Sequence, residues 1–151
     1  MTPALALLLA TAALAAFGVG QVWLVQMSSY RLFAHVGARE FHAYHLVWWR
    51  SIWGVLLGPA ALVFLGALLM LRYSPPGVPT WALWLGVALQ VLLYALTAAW
   101  FGPLMARLAT PDGGLIAPRY RLLMTTHWGR VAIVTAYGLL IWWMLGVSLG
   151  A

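Results

Sequence analysis

Long apolar stretches alternate with short polar connections along this chain. The apolar stretches cover residues 3–27, 41–71, 80–108 and 118–149. Each is near or above the ~20 residues that a helix needs to cross a bilayer. The pattern therefore predicts one domain, residues 1–151, folded as an all-α bundle of four membrane-spanning helices in up-down-up-down order.

The connections contain residues that begin or end helices. Thr2 followed by Pro3 is a typical helix start, and Pro118 suits the first turn of the fourth helix. The run Ser-Pro-Pro-Gly-Val-Pro at 74–79 cannot continue a helix, and a further turn is predicted at 110–114. Residues 28–40 mix apolar and basic side chains, which fits either an interfacial amphipathic turn or an extension of the first helix.

Composition strengthens the membrane prediction and narrows the possible partners. Only 7% of the residues are charged and 65% are hydrophobic, whereas a soluble domain has roughly 25% charged residues. The absence of cysteine excludes disulfides and thiolate metal sites. The net charge of +6 comes from arginines spread singly along the chain, so the lipid bilayer, and not nucleic acid, is the predicted partner.

The distribution of arginine predicts the orientation of the bundle. The connection between the second and third helices contains Arg72 alone. The other two connections are richer, with Arg31 and Arg39 in the first and Arg107, Arg119 and Arg121 in the third. By the positive-inside rule, these two face the cytoplasm and both termini lie on the non-cytoplasmic side. The predicted location is a membrane that borders the cytoplasm.

Two arginines, Arg50 and Arg130, lie inside the predicted membrane helices. The chain has only two carboxylates, Glu40 and Asp112, with which any arginine could pair. Arg130 follows Pro118 by about 18 Å of helix at 1.5 Å per residue, which is too deep for an easy return to the interface. A charge at this depth is costly and usually marks a functional site in the bundle interior.

Further polar residues are predicted to converge on the cytoplasmic half of the bundle. Because the helices alternate in direction, Gln21 and Gln26 approach this region from the first helix, and Gln90, Tyr94 and Thr97 descend towards it along the third. The predicted ligand-binding residues are His45, His127, Arg130, Arg50, Tyr94 and Gln90.

Several chemistries suit such a polar cavity. His45 and His127 could ligate a metal ion or a haem iron across the bundle. The arginines could bind an anion or the carbonyl group of a quinone-like ligand, because guanidinium offers a planar fork of donors. Trp48, Trp49, Trp53 and Trp128 would suit a flat aromatic molecule. The sequence does not choose among these chemistries.

The predicted function is the binding of a hydrophobic, partly polar ligand, aromatic or quinone-like, or of haem. The protein could then be a membrane oxidoreductase. The alternative is a non-catalytic subunit or scaffold, in which Gly54 and Gly58 allow close approach of a second copy or of a larger membrane complex. A small-solute channel ranks last, because the outer half of the sequence supplies few polar residues.

Short motifs resemble those of small four-helix bacterial membrane proteins related to the anthrone-oxygenase-like family. The similar residues are Tyr30-Arg31-Leu32-Phe33-Ala34-His35-Val36-Gly37, then Phe41, Tyr44, His45 and Arg50, and finally Thr126-His127-Trp128-Gly129-Arg130. The resemblance extends over most of the chain in length, helix number and motif placement. It implies a four-helix fold in the bacterial cytoplasmic (inner) membrane and oxygen-dependent oxidation of an aromatic ring.

Overall fold

A computed structural model describes residues 2–37, 39–108 and 118–150. In these ranges the chain forms four long helices, which confirms the predicted all-α fold. They are α1 (Pro3–Phe33), α2 (Phe41–Arg72), α3 (Thr80–Leu108) and α4 (Pro118–Gly150). All four are long and apolar enough to cross a membrane. The turn predicted at 110–114 lies outside the described residues.

The helix boundaries follow the predicted capping residues closely. The Thr2 hydroxyl accepts a hydrogen bond from the Leu5 amide at 3.2 Å, and Pro3 occupies the first helical turn. A proline inside a helix, Pro59, does not end α2, because the helix continues on both sides of it. At the other end, α1 runs beyond residue 27 and ends at Phe33. Of the two predictions for residues 28–40, the extension of the first helix is therefore the one that the structure favours.

Two of the helices contain a π-helical turn, in which one extra residue is accommodated. In α1 this turn is Val25–Ser29, and in α3 it is Thr97–Phe101. Such turns are rare and are found frequently at functional sites. Because each turn rotates the residues that follow it, the α-helical spacing read from the sequence fails beyond these points.

Each helix packs against two neighbours. Helices α1 and α3 both contact α2 and α4, so the four form a closed ring. One apolar core joins the start of α1 to the end of α4 and includes Leu8 and Met144. A second core, at the opposite end, includes Phe33 and Leu123. Successive helices therefore run in opposite directions, and both ends of the described chain lie at the first core.

The outer surface of the bundle is strongly apolar. Large exposed hydrophobic side chains occur on every helix, among them Leu24, Leu62, Leu92 and Leu139. A water-soluble protein rarely exposes so continuous an apolar surface. This surface fits the four candidate membrane spans of a multi-pass protein.

Close packing between α1 and α2 depends on Gly66. A Cβ atom at this position would collide with the side chain of Thr11, which is β-branched and stiff. We expect Gly66→Ala to lower the free energy of unfolding by about 1–3 kcal/mol through overpacking. Denaturation in detergent, followed by helical circular dichroism, measures this loss.

Gly58→Ala is the matched control in the same helix. A Cβ atom at Gly58 would meet nothing within 4 Å. Alanine there should leave the bundle unchanged or stabilise it by about 0.5–1 kcal/mol, since glycine is a poor helix former. Equal losses in the two variants would contradict the packing of α1 on α2 at Thr11.

Candidate functional site

Arg130 lies inside the bundle between two cavities and lines both of them. Its guanidinium carbon is 5.8 Å from the centroid of the Phe101 ring, within reach of a cation–π contact. Tyr30 lines the inner cavity together with it. Within the described residues, Arg130 has neither a hydrogen-bond acceptor nor a carboxylate partner. The charge is thus held in the bundle without a counter-charge from any residue that the structure describes.

The inner cavity has a volume of about 80 Å³ and lies between the two apolar cores. All four helices contribute to its walls. The polar side chains that line it are Gln21, Tyr30, Gln90, His127, Arg130 and Tyr137. A cavity that binds benzene has about 150 Å³, so the inner cavity has room for a small polar group but not for a ring.

The outer cleft is larger, at about 220 Å³, and lies between α2 and α3. Apart from Arg130 and Thr97, its lining is apolar and includes Trp49 and Trp53. The side chains of Trp53 and Leu57 remain 45% and 39% exposed, so this cleft reaches the outer surface of the bundle. Its volume suits an aromatic ring.

His127 is fixed by a buried hydrogen bond to the first helix. Its Nδ1 atom lies 2.8 Å from Oε1 of Gln26, while Nε2 of Gln26 donates to the Met124 carbonyl at 3.2 Å. Since the amide oxygen only accepts, Nδ1 of His127 carries the proton. In a neutral ring Nε2 is then an acceptor, and it has no hydrogen-bond partner in the part of the chain that the structure describes.

Both π-helical turns are positioned against His127. Gln26, in the turn of α1, forms the hydrogen bond described above. Phe101, in the turn of α3, meets the imidazole edge-on with ring centroids 5.7 Å apart. The two irregular turns thus place the side chains that hold His127 and Arg130.

Removing the Gln26 amide tests this arrangement. Gln26→Leu takes away the acceptor for His127 and the donor to Met124, and both bonds connect α1 to α4. We expect the free energy of unfolding to fall by about 1–2 kcal/mol, because buried polar groups lose their partners. Thermal denaturation of the purified protein measures this loss.

Gln21→Leu serves as the comparison for Gln26. Its amide makes one hydrogen bond, to the Val55 carbonyl at 3.1 Å, in a more exposed position. The expected loss is roughly 0.6 kcal/mol, the average for an interhelical polar contact in membrane bundles. If the two variants were equally stable, the pairing of Gln26 with His127 would contribute nothing.

His45 is fully buried but lines neither cavity. It packs in an aromatic cluster whose other members are Phe33, Phe41, Trp48 and Trp49. The rings of Phe33 and Tyr30 connect it to His127, at successive centroid distances of 5.7, 5.6 and 4.8 Å. The two histidines are therefore not adjacent, and only His127 faces the inner cavity.

The remaining predicted site residues divide between interior and surface. Gln90 is buried and lines the inner cavity. Tyr94 packs on Phe64, with ring centroids 5.2 Å apart, and its buried hydroxyl has no partner in the described chain. Arg50 is exposed on α2.

Tyr30 was not among the predicted binding residues, although it contacts His127 and lines the inner cavity. It follows Gln26 by four residues, which would place both on one helix face. That signal was present in the sequence, but it depends on α1 continuing past residue 27.

No group of three or more His, Cys, Asp or Glu side chains within the described ranges is placed to hold a metal ion. Metal or haem ligation by His45 and His127 therefore stays a prediction. In the structure, His127 is hydrogen-bonded to Gln26 and lines the inner cavity together with Arg130.

This chain matches no protein-family model, no curated protein and no solved structure. The similarity to the anthrone-oxygenase-like family rests on the short motifs alone. The geometry around Arg130 is therefore the basis for inferring a function.

Proposed function

We propose that this protein spans the bacterial cytoplasmic membrane and binds a lipid-soluble, partly polar small molecule between its helices. The four candidate spans and the distribution of arginine support a location in this membrane with both termini outside. In that orientation the candidate site extends from the middle of the bundle towards the cytoplasm.

The observation that carries this proposal is the position of Arg130. A cationic side chain inside a membrane bundle usually pairs with a carboxylate or with backbone carbonyls. Arg130 does neither within the described residues, and it lines two adjoining cavities. A ligand that accepts hydrogen bonds would satisfy the guanidinium donors.

The two cavities differ in size and in the polarity of their linings, and this difference suits a ligand with one polar end. The inner cavity is small and contains several polar side chains, whereas the outer cleft is larger and mostly apolar. Ligand sites typically combine such an apolar lining with a few placed polar groups. The ligand's polar end fits beside Arg130, and its aromatic or alkyl part fits between α2 and α3.

Access from the lipid phase follows from the exposure of the outer cleft. Trp53 and Leu57 belong to the surface that fits a bilayer, so a molecule dissolved in the acyl chains reaches the cleft without crossing water. This route suits the aromatic, quinone-like ligand class that the sequence predicts. Oxidation of such a ligand stays a further prediction from the family resemblance.

Photolabelling tests the binding function directly. An aryl diazirine with an acetyl group supplies one aromatic ring and one neutral hydrogen-bond acceptor. In phosphatidylcholine nanodiscs, mass spectrometry should map its label mainly to residues 49–57 and 97–102, and excess unlabelled aryl ketone should compete. Uniform, non-competable labelling of all lipid-facing helices would contradict a specific site.

The alternative function, a scaffold in a larger complex, is favoured by one separate observation. Nothing within 4 Å would meet a Cβ atom at Gly54 or Gly58, so the packing within this chain leaves that face of α2 open. Since the protein has no cysteine, Gly58→Cys introduces a single thiol. A scaffold that self-associates there should form a disulfide-linked dimer on mild oxidation, whereas a monomeric binder should not.

A further inference from the structure

No residue in the described part of the chain balances the charge of Arg130. The chain contains two carboxylates, Glu40 and Asp112. Glu40 is exposed immediately before α2, and Asp112 belongs to the connection after α3. Glu40 does not contact Arg130, and Asp112 lies outside the described residues.

The contacts that Arg130 does make are weak compensation for a half-buried charge inside the bundle. The main one is the cation–π contact with the Phe101 ring at 5.8 Å. Burying an unpaired ion costs more than such contacts return. A neutral ligand would satisfy the guanidinium donors but would leave the charge uncompensated.

The small volume of the inner cavity favours a compact anionic group as the source of the missing charge. At about 80 Å³ it admits a group of a few heavy atoms. A carboxylate is planar and matches the two parallel donors of guanidinium. A phosphodiester is larger and has an ester substituent on each side, whereas a monocarboxylate has a single substituent, which can extend into the outer cleft.

Other donors surround the same space. The Gln90 amide and the hydroxyls of Tyr30 and Tyr137 belong to side chains that line the inner cavity. The Tyr137 hydroxyl is buried and has no hydrogen-bond partner in the described structure. These groups could donate to the second oxygen of a carboxylate that Arg130 holds.

We propose that the ligand is an organic monocarboxylate whose anionic group binds Arg130 in the inner cavity. Its apolar body lies in the outer cleft beside Trp49 and Trp53. This inference rests on the proposed function and adds the ligand's charge to it.

A pair of isosteric probes tests the charge. One is an aryl diazirine that carries a carboxylate, and the other carries a primary amide in the same position. Each is competed with its unlabelled analogue in phosphatidylcholine nanodiscs, for the wild type and for Arg130→Met. In the wild type, the carboxylate should bind at least about tenfold more tightly, since hydrogen bonds between charged groups are stronger.

The variants separate the role of Arg130 from a general preference for anions. In Arg130→Met the ratio of the two affinities should fall to near one. If that variant does not fold, Arg130→Lys takes its place: it keeps the charge but loses the planar fork, so the carboxylate preference should shrink without disappearing. A preference that persists at full strength in the folded variant would overturn the assignment to Arg130.

The labelling results distinguish a wrong ligand charge from a wrong binding site. Equal affinity for the two probes, with label mapped to the outer cleft, would overturn the carboxylate assignment and leave the binding site standing. Labelling of the cleft by neither probe would overturn both.

Discussion

Replacing Arg130 by methionine is expected to weaken ligand binding strongly and to leave the helix bundle at least as stable as the wild type. Arg130 contributes the charge and the donors of the site, so photolabelling of the outer cleft should fall at least about tenfold. Methionine has a similar length and no charge, and replacing buried ionic groups with apolar ones is often neutral or stabilising. Photolabelling and thermal denaturation of one preparation measure both effects.

Arg72→Met is the control for this substitution. Arg72 is exposed at the end of α2, where its guanidinium lies over the Tyr73 ring. The same chemical change there should alter neither ligand binding nor the melting temperature appreciably. If Arg130→Met instead lost several kcal/mol of stability, Arg130 would hold the bundle together, and its role as a ligand-binding group would be contradicted.

Filling the outer cleft should block binding without touching Arg130. Ala98 is exposed on α3 and lines the cleft. In Ala98→Trp, the indole would occupy the space that we assign to the ligand's ring. We expect photolabelling to fall at least about tenfold, while stability changes by about 0.5 kcal/mol or less, as for most exposed substitutions.

Ala95→Trp separates occlusion from the general effect of a new indole. Ala95 is also exposed on α3 but does not line the cleft. This variant should bind the acetyl probe as the wild type does. Unchanged binding in Ala98→Trp would show that the ligand does not use the space between α2 and α3.

The helices could be predicted because strong and local signals define them. The length of each apolar stretch and the proline-rich run at 74–79 determine the number of helices, and Thr2 and Pro3 mark where α1 begins. No comparable signal marks the π-helical turns in α1 and α3. They depend on the packing of one helix against another, which a single sequence does not display.

Part of the candidate site could also be predicted from the sequence. Arg130 and Gln90 are polar residues at membrane depth, and lipid excludes such groups, so their inward orientation follows from the sequence. His45 satisfies the same rule, yet aromatic rings from its own helix and from α1 surround it. Which buried polar group faces a cavity depends on the shapes of its neighbours, and hydropathy carries no such information.

A crystal structure of the wild-type protein from a lipidic mesophase containing the aryl carboxylate tests the central claim most directly. We predict continuous ligand density from the Arg130 guanidinium through to the cleft between Trp53 and Ala98. An inner cavity closed by side chains, with Arg130 bonded to a carbonyl or carboxylate of the chain itself, would contradict the account.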